Sequence, residues 1–562
     1  MIKQLVSDLH SRALHYLQNN DYFNAEKLIS HCLIIDPKNS ELLRIKGICK
    51  YMEGDIKNAK IHFKQAVKNN LKNYLAYSNL ANINLFEKDF SLALENYKIA
   101  IKINPQYAEG YNNLGNFYQQ VGEYENAIYY YNLALKIESK YPEALNNRAN
   151  AYSEQGKYSI AINDYIEAIN YKPDYFEAFC NLSNTLIKMR ELEKALDACN
   201  KCLKINDNYL QGYLQKALIL KLLNQPDLAL EVYNQAISIQ PNYAEAINNR
   251  GHLYLNQQNF KQGWQDYEAR FLTAAYDSKV LESSKPLWNG NYYLNGPLYI
   301  WGEQGIGDQI LHGSILPDIS KLFRSNIVSV EKKLIPLFTR SLPEISFVEI
   351  SRHLSEEQYV AHLPIASLGQ YFRKSVDDFK EQKPYLVDNF SLTKEIKSSP
   401  LFLNRKTCGI SWNSINQRVG EDKSISLESM LPILQLLKIH FINLQYGNVS
   451  TEIVKLEEQS KIKVDQVQGI DLYEDIDGLA SVIQACDIIV TCSNSTAHLA
   501  GALGKETLLL LPKNQGKFWY WHTREDGRSL WYPSIKIYKQ EDQGDWSKPV
   551  EEVKRYLEKR FE

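Results

Sequence analysis

The sequence predicts two folds in tandem: an all-α solenoid over roughly the first half, then an α/β region of two doubly wound parallel sheets. Three observations carry this prediction. Small residues return every 34 positions from Ala25 to Ala236. That register stops after Phe271, and beyond it short apolar runs of strand type alternate with helical patterns.

The repeat is read from three positions. Alanine stands at Ala25, Ala59, Ala93, Ala127, Ala161, Ala195 and Ala229, and seven residues further on lie Cys32, Ala66, Ala100, Ala134, Ala168, Cys202 and Ala236. Between them sits a larger side chain: Ile29, Phe63, Tyr97, Tyr131, Tyr165, Cys199 and Tyr233. Small residues let paired helices approach, and the large one fills the space between them. Pro37, Pro105, Pro173 and Pro241 follow in register and end the second helix of their units. This pattern resembles the tetratricopeptide (TPR) repeat, in about eight units over residues 1–275. The last unit degrades: Gly263 and Arg270 take the small-residue places, and Asn248 to Phe271 reads as a cap. Cys199 and Cys202 have the spacing of a metal or redox pair, but both fall on packing positions, and no second Cys/His pair lies nearby.

The first helices carry a second pattern. Asn79, Asn113, Asn147, Asn181, Gln215 and Asn249 share one place in the repeat, and Asn82, Asn116, Asn150 and Asn184 lie three residues on. That spacing puts both rows on one helix face. Side-chain amides both donate to and accept from a peptide backbone, so a ladder of them suits an extended peptide acceptor. O-linked N-acetylglucosamine transferase, which this architecture resembles, holds protein substrates in that way. Packing and solubility are the alternative use of the same asparagines.

Composition narrows the function classes. A formal net charge of −2 over 562 residues provides no overall basic field for nucleic acid or anionic membrane. The N-terminus lacks a signal-peptide pattern, and the most apolar run, Thr507 to Pro512, is too short to span a bilayer. Eight scattered cysteines suit reduced thiols. Together these predict a soluble cytoplasmic protein.

Turn residues at 276–296 mark a linker. Strand-like runs then fall in two groups over residues 297–395 and 396–562: Leu298–Trp301, Ile327–Val330 and Phe347–Ile350, then Thr407–Trp412, Phe441–Gln445, Ile488–Cys492 and Thr507–Leu511. Two segments stand out. LYIWGEQGIGDQILHGSILPDI reads as a strand, a turn with Gly302, Gly305 and Gly307, and a helix opening at Asp308. CDIIVTCSNSTAHLAGALGKETLLLLP reads as a strand, a polar turn, a small-residue helix and another strand. The first is neither a dinucleotide fingerprint nor a Walker loop. In this order the two segments resemble the heptosyltransferase-like glycosyltransferases (glycosyltransferase family 9) of the GT-B fold.

The resemblance implies a sugar transferred from a nucleotide diphosphate donor, without metal or other cofactor, to an acceptor hydroxyl. It makes Asp308 the general base, with N-capping of a helix as the alternative. Donor phosphates would meet the helix beginning Ser495-Thr496-Ala497-His498, with Lys423 offsetting charge on the leaving group. Ser411, Trp412, Asn413 and Gln445, at carboxyl ends of strands, would face the same ligand. Ser493-Asn494 departs from the family's Asp-Thr, which leaves open a transferase-like fold without turnover that serves as an interaction scaffold. Transfer to a lipopolysaccharide-type glycan is the other alternative. Asp475-Ile476-Asp477 spells a metal-binding D-x-D, but it precedes a helical run where acidic residues suit the helix dipole.

Overall fold

The computed structural model describes residues 2–291, 293–323, 325–352, 354–415, 420–514 and 516–562, with the side chains of residues 2–7 outside that description. The chain divides into two compact units, Met1–Leu223 and Asn224–Glu562.

The first unit consists of helix pairs, from Ile2–Gln18 with Tyr22–Ile35 through Phe176–Lys188 with Leu192–Ile205, and a last helix Leu210–Leu222. The alanines from Ala25 to Ala195 that carry the repeat are 0% exposed, and Phe63, Tyr97, Tyr131 and Tyr165 are buried against them. Close approach is needed on the facing helix as well. A Cβ at Gly115 would lie 2.4 Å from the Tyr131 ring. Each pair turns through a residue with positive φ, at Asn20, Gly54, Lys88, Gly122, Gly156 and Arg190, so the turn repeats with the same period as the packing. Asp21, Asp55 and Asp89 cap second helices by accepting the amide three residues on. Helices ending at Ile35, Ile103 and Tyr171 stop two residues before Pro37, Pro105 and Pro173. Cys199 and Cys202 are buried with the other packing residues.

The second unit opens with helices of the same register, Pro226–Ile239, Ala244–Asn256 and Phe260–Tyr267, and a 3-10 turn, Glu268–Leu272. Two all-parallel sheets follow. The first contains β1 (Leu298–Trp301), β2 (Asn326–Val330), β3 (Ser346–Glu349) and β4 (Ala361–Pro364) in the order β3-β2-β1-β4. The second contains β5 (Lys406–Ser411), β6 (Ile439–Asn443), β7 (Val464–Asp465), β8 (Ile488–Cys492), β9 (Thr507–Leu511) and β10 (Ile535–Lys539) in the order β10-β9-β8-β5-β6-β7. Strand order reverses between β1 and β4 and between β5 and β8, which opens a crevice at the carboxyl ends of those strands.

Period-two alternation builds the core on both faces of the second sheet. Ile489, Leu509 and Leu511 join a large cluster with β1, while Val490, Leu508 and Leu510 face a second cluster closed by the helix Ser547–Phe561. The large cluster also takes in Phe260, Trp264 and Tyr267 from the repeat register. Trp264 Nε1 donates to the Arg373 carbonyl at 2.7 Å, and a Cβ at Gly369 would lie 2.3 Å from its ring. The final repeat thus packs as part of the α/β core. No helix among the described residues is long and apolar enough to cross a membrane.

Candidate functional site

A cavity of 590 Å³ lies between the two sheets. Its first wall is the turn after β1. Gly302 has no room for a side chain, since a Cβ would sit 2.6 Å from the Ser329 carbonyl oxygen. Gln304 adopts φ +60, its amide held by Ser278 Oγ at 2.8 Å. The helix Ile306–Gly313 begins two residues earlier than the sequence suggests, with Gly305 at the N-cap and Asp308 in its first turn. Asp308 is therefore not the capping residue. Its carboxyl is half-buried and lines the cavity with Gly305 and Gly307. Burial pushes it up to about 6, opposed by the Gly305 amide and by Lys423, and reinforced by Glu303.

The opposite wall is the turn after β8 and the helix Ser495–Ala502. Asn494 caps this helix, accepting from the Ala497 amide at 3.2 Å, and its Nδ2 donates to Ser411 Oγ at 2.7 Å. It therefore ties the ends of β8 and β5 together. The Ser495 and Thr496 amides have no partner among the described residues. Ser493 Oγ accepts from Trp521 Nε1 at 2.8 Å. His498 lines the cavity, stacked on Trp521 and hydrogen-bonded through Nδ1 to the Tyr532 hydroxyl at 3.1 Å. Burial, with Lys423 nearby, lowers it to about 3, so the ring is neutral at any working pH.

Lys423 ends the short helix Gly420–Lys423 and is 6% exposed. Its ammonium stands 4.8 Å from the centroid of the Phe518 ring, and no carboxylate among the described residues lies within ion-pair distance. Burial lowers its pKa, while Asp308 across the cavity works the other way. The loop 416–419 ahead of it lies outside the described residues.

The structure thus brings Asp308, Gly305, Gly307, Lys423, Ser495 and His498 together on one cavity. Other residues expected there stand behind its wall. Gln445 Oε1 accepts from Ser411 Oγ and from the Trp412 and Asn413 amides at 2.8 to 3.0 Å, so the amide oxygen holds the end of β5. Trp412 Nε1 donates to Glu452 at 3.0 Å, and Thr496 and Ala497 are buried. Tyr446, Tyr473, Phe518 and Tyr520 line the cavity without having been singled out in the sequence. Phe518 and Tyr520 lie in the aromatic segment after β9, but their place depends on tertiary folding. Asp475 caps the helix Ile476–Ala485, and Asp477 forms an ion pair with Arg340. Among the described residues, no group of three His, Cys, Asp or Glu side chains could hold a metal ion.

The amide rows of the repeats separate into two uses. In the second row, Asn82, Asn116 and Asn150 accept from the hydroxyls of Tyr97, Tyr131 and Tyr165 at 2.5 to 2.7 Å. Asn184 has Cys199 at the matching place and no such hydroxyl. First-row amides reach back one repeat: Asn113 to Ser78, Asn147 to Asn112, Asn181 to Asn146, and Gln215 to the Cys180 carbonyl, at 3.0 to 3.3 Å. Asn79 and Asn249 are part-exposed.

Comparison with known proteins agrees with the repeat architecture. Family models described as TPR repeat match residues 87–122, 149–190 and 217–258, and tetratricopeptide repeat models match 108–141 and 176–209. The N-terminal region is therefore built of TPR repeats. The chain is 27% identical over 306 residues to protein FlbA of Caulobacter vibrioides, covering 51% of this chain and 50% of FlbA. It spans about half the length of that curated relative. Among solved structures, a tetratricopeptide repeat protein from Parabacteroides merdae is 19% identical with a TM-score of 0.36, covering 43% of this chain and 96% of that one. A TPR protein of Thermus thermophilus is 23% identical with a TM-score of 0.30, covering 32% and 98%.

Proposed function

We propose that the chain is a glycosyltransferase of GT-B type that moves a sugar from a nucleotide diphosphate to an acceptor hydroxyl. The observation that carries this reading is Lys423: a buried ammonium without a carboxylate partner among the described residues, on the same cavity as the helix Ser495–Ala502 and a carboxyl poised near neutrality. An unpaired buried cation is costly, and a bound phosphate would offset that cost. In the proposed step the Asp308 carboxylate takes the acceptor hydroxyl proton. The acceptor oxygen bonds to the anomeric carbon as that carbon's bond to the phosphate oxygen breaks. Charge left on the phosphate is met by Lys423 and the free amides of Ser495 and Thr496. A pKa near the working pH suits a general base. No metal is assigned a part.

TPR repeats favour a protein or peptide acceptor in a cytoplasmic setting, recruited through the first-row amides. Thermal shift against a panel of nucleotide sugars and free nucleotides tests the donor half. A ligand at ~100 times its dissociation constant adds about 2.7 kcal/mol of stability, and Lys423→Met should abolish that gain. No stabilisation by any of them would remove the donor site from the proposal. The scaffold reading has one observation in its favour. Ser493 and Asn494, where the family has Asp-Thr, turn their side chains to Trp521 and Ser411 within the protein. Binding without transfer to any peptide would select it.

A further inference from the structure

Arg270 stands in the repeat register where other units carry Ala or Cys. A guanidinium cannot fill a methyl-sized place between helices, and it does not try to. The final helix ends at Tyr267, and the 3-10 turn that follows carries Arg270 to the loop after β1. There its Nε and Nη2 meet both Glu303 carboxylate oxygens at 3.0 and 2.7 Å. The remaining hydrogens go to the Tyr267 carbonyl, Glu268 and Ser367 at 2.9 to 3.2 Å. Glu303 also accepts from the Tyr276 hydroxyl at 3.0 Å and the Ala366 amide at 3.2 Å. Both residues are buried, at 3% and 1% exposure.

A buried ion pair is weak evidence for stability, because packed apolar residues would serve as well. What a two-pronged pair adds is fixed geometry. The geometry fixed here is that of Gln304, the next residue, whose φ of +60 is uncommon for a side-chain-bearing residue. Its Nε2 donates to the Tyr267 hydroxyl at 3.0 Å, a second tie to the final repeat. Gln304 borders the 590 Å³ cavity that holds Asp308, and also a second cavity of 520 Å³ at the carboxyl ends of β1 and β2. The turn it occupies is the partition between them.

We propose that Arg270 and Glu303 are positioning residues of the cleft: the last turn of the final repeat clamps the Gly-rich turn and so sets Asp308 opposite Lys423. This rests on the cleft being the reaction centre. The degenerate eighth repeat is then part of that centre's scaffold, and losing the repeat consensus at position 270 is what allows it.

Arg270 is shared by Glu303 and Glu268, at 2.7 and 2.9 Å, so the cluster carries one net negative charge, and Glu303 raises the pKa of Asp308. The other groups around Asp308 are Lys423, the neutral Tyr267, Tyr520 and Tyr532, and neutral His498. Removing Glu303 leaves Arg270 with Glu268 as its remaining carboxylate partner and takes away a charge that raises Asp308. The test is carboxyl carbon NMR of the full chain with labelled aspartate, the Asp308 signal being identified by its loss in Asp308→Asn. Glu303→Gln is isosteric and removes the carboxylate charge that raises Asp308, so Asp308 should titrate about half a pH unit or more lower. Combining it with Arg270→Met removes the clamp, so Lys423→Met, which raises the titration of Asp308 in the native chain, should raise it less in that background. A melting temperature that falls in both variants, while Lys423→Met moves Asp308 equally with and without the clamp, would overturn the proposal and leave only a structural brace. The titration uses no substrate, so failure to transfer any sugar would count against the proposed reaction and not against the clamp.

Discussion

Gly307 and His498 face each other so closely that a Cβ on Gly307 would lie 3.2 Å from His498 Cδ2. One belongs to the helix after β1 and the other to the helix after β8, so this contact joins the two motifs that stand out in the sequence. Helix propensity alone would favour alanine over glycine by up to about 1 kcal/mol. Here His498 has little room to give, pinned by the Trp521 stack and the Tyr532 hydroxyl. Gly307→Ala is therefore expected to lose about 1 to 2 kcal/mol, read as a lower midpoint in urea. A higher midpoint would mean that the two helices part easily.

Asp308 supplies the second prediction. Its folded value, about 6, lies above the ordinary 3.8 because burial disfavours the charge. The folded state then holds its proton more tightly than the unfolded state, and stability is lost as pH rises from about 4 through 6. Asp308→Asn should stabilise the protein by about 1 to 2 kcal/mol at pH 7.5, after discounting for the part of the carboxyl that reaches solvent, and should be neutral near pH 4. Sugar transfer should fall by at least about 100-fold in the same variant. Loss of stability at both pH values would show that the carboxylate is a structural partner of Lys423.

Three histidines work in the opposite sense. Burial holds His312 and His498 at about 3 and His522 at about 4. As pH falls through about 6.5 the unfolded state takes protons that the folded state refuses, so stability drops across the window down to those values. Each ring contributes up to about 1.4 kcal/mol per pH unit. His522 Nε2 sits 2.8 Å from the Leu255 carbonyl, a contact that a glutamine amide can reproduce. His522→Gln should therefore flatten the fall in stability between pH 6.5 and 4 by that amount, measured by urea unfolding at several pH values. An unchanged slope would mean that His522 titrates normally in the fold.

The parts legible in the sequence were those set by local chemistry. β1, β8 and β9 coincide with their apolar runs because strands buried on both faces read as continuous hydrophobic segments. β4 escaped notice because it is four residues ending in proline, and β7 because it is two residues long. β10 (IKIYK) alternates Ile with Lys at the edge of its sheet, a weaker signal than an unbroken apolar run. The same limit applies to the site. That Ser411, Trp412 and Gln445 stand at strand ends could be read, but not which way their side chains point once β5 and β6 pair. Arg270 could be seen only as a broken repeat, since its partner Glu303 is 33 residues away.

The second-row asparagines give the last prediction, because one bond decides between their two uses. The single hydroxyl proton of Tyr131 is shared between Asn116 Oδ1 at 2.7 Å and Gln119 Oε1 at 2.9 Å, the ring itself being fully buried. Tyr131→Phe should cost about 1 kcal/mol, and Asn116→Ala less, because Gln119 still accepts the buried proton. The pair should be coupled by about 0.5 kcal/mol or more in a double-mutant cycle. Additive losses would show that the bond contributes nothing to holding the repeat. If Asn116 serves packing alone, its loss should leave peptide capture unchanged at a temperature where the variant is folded, whereas Asn147→Ala in the first row should weaken it. Equal weakening by both variants would make the two rows a single binding surface.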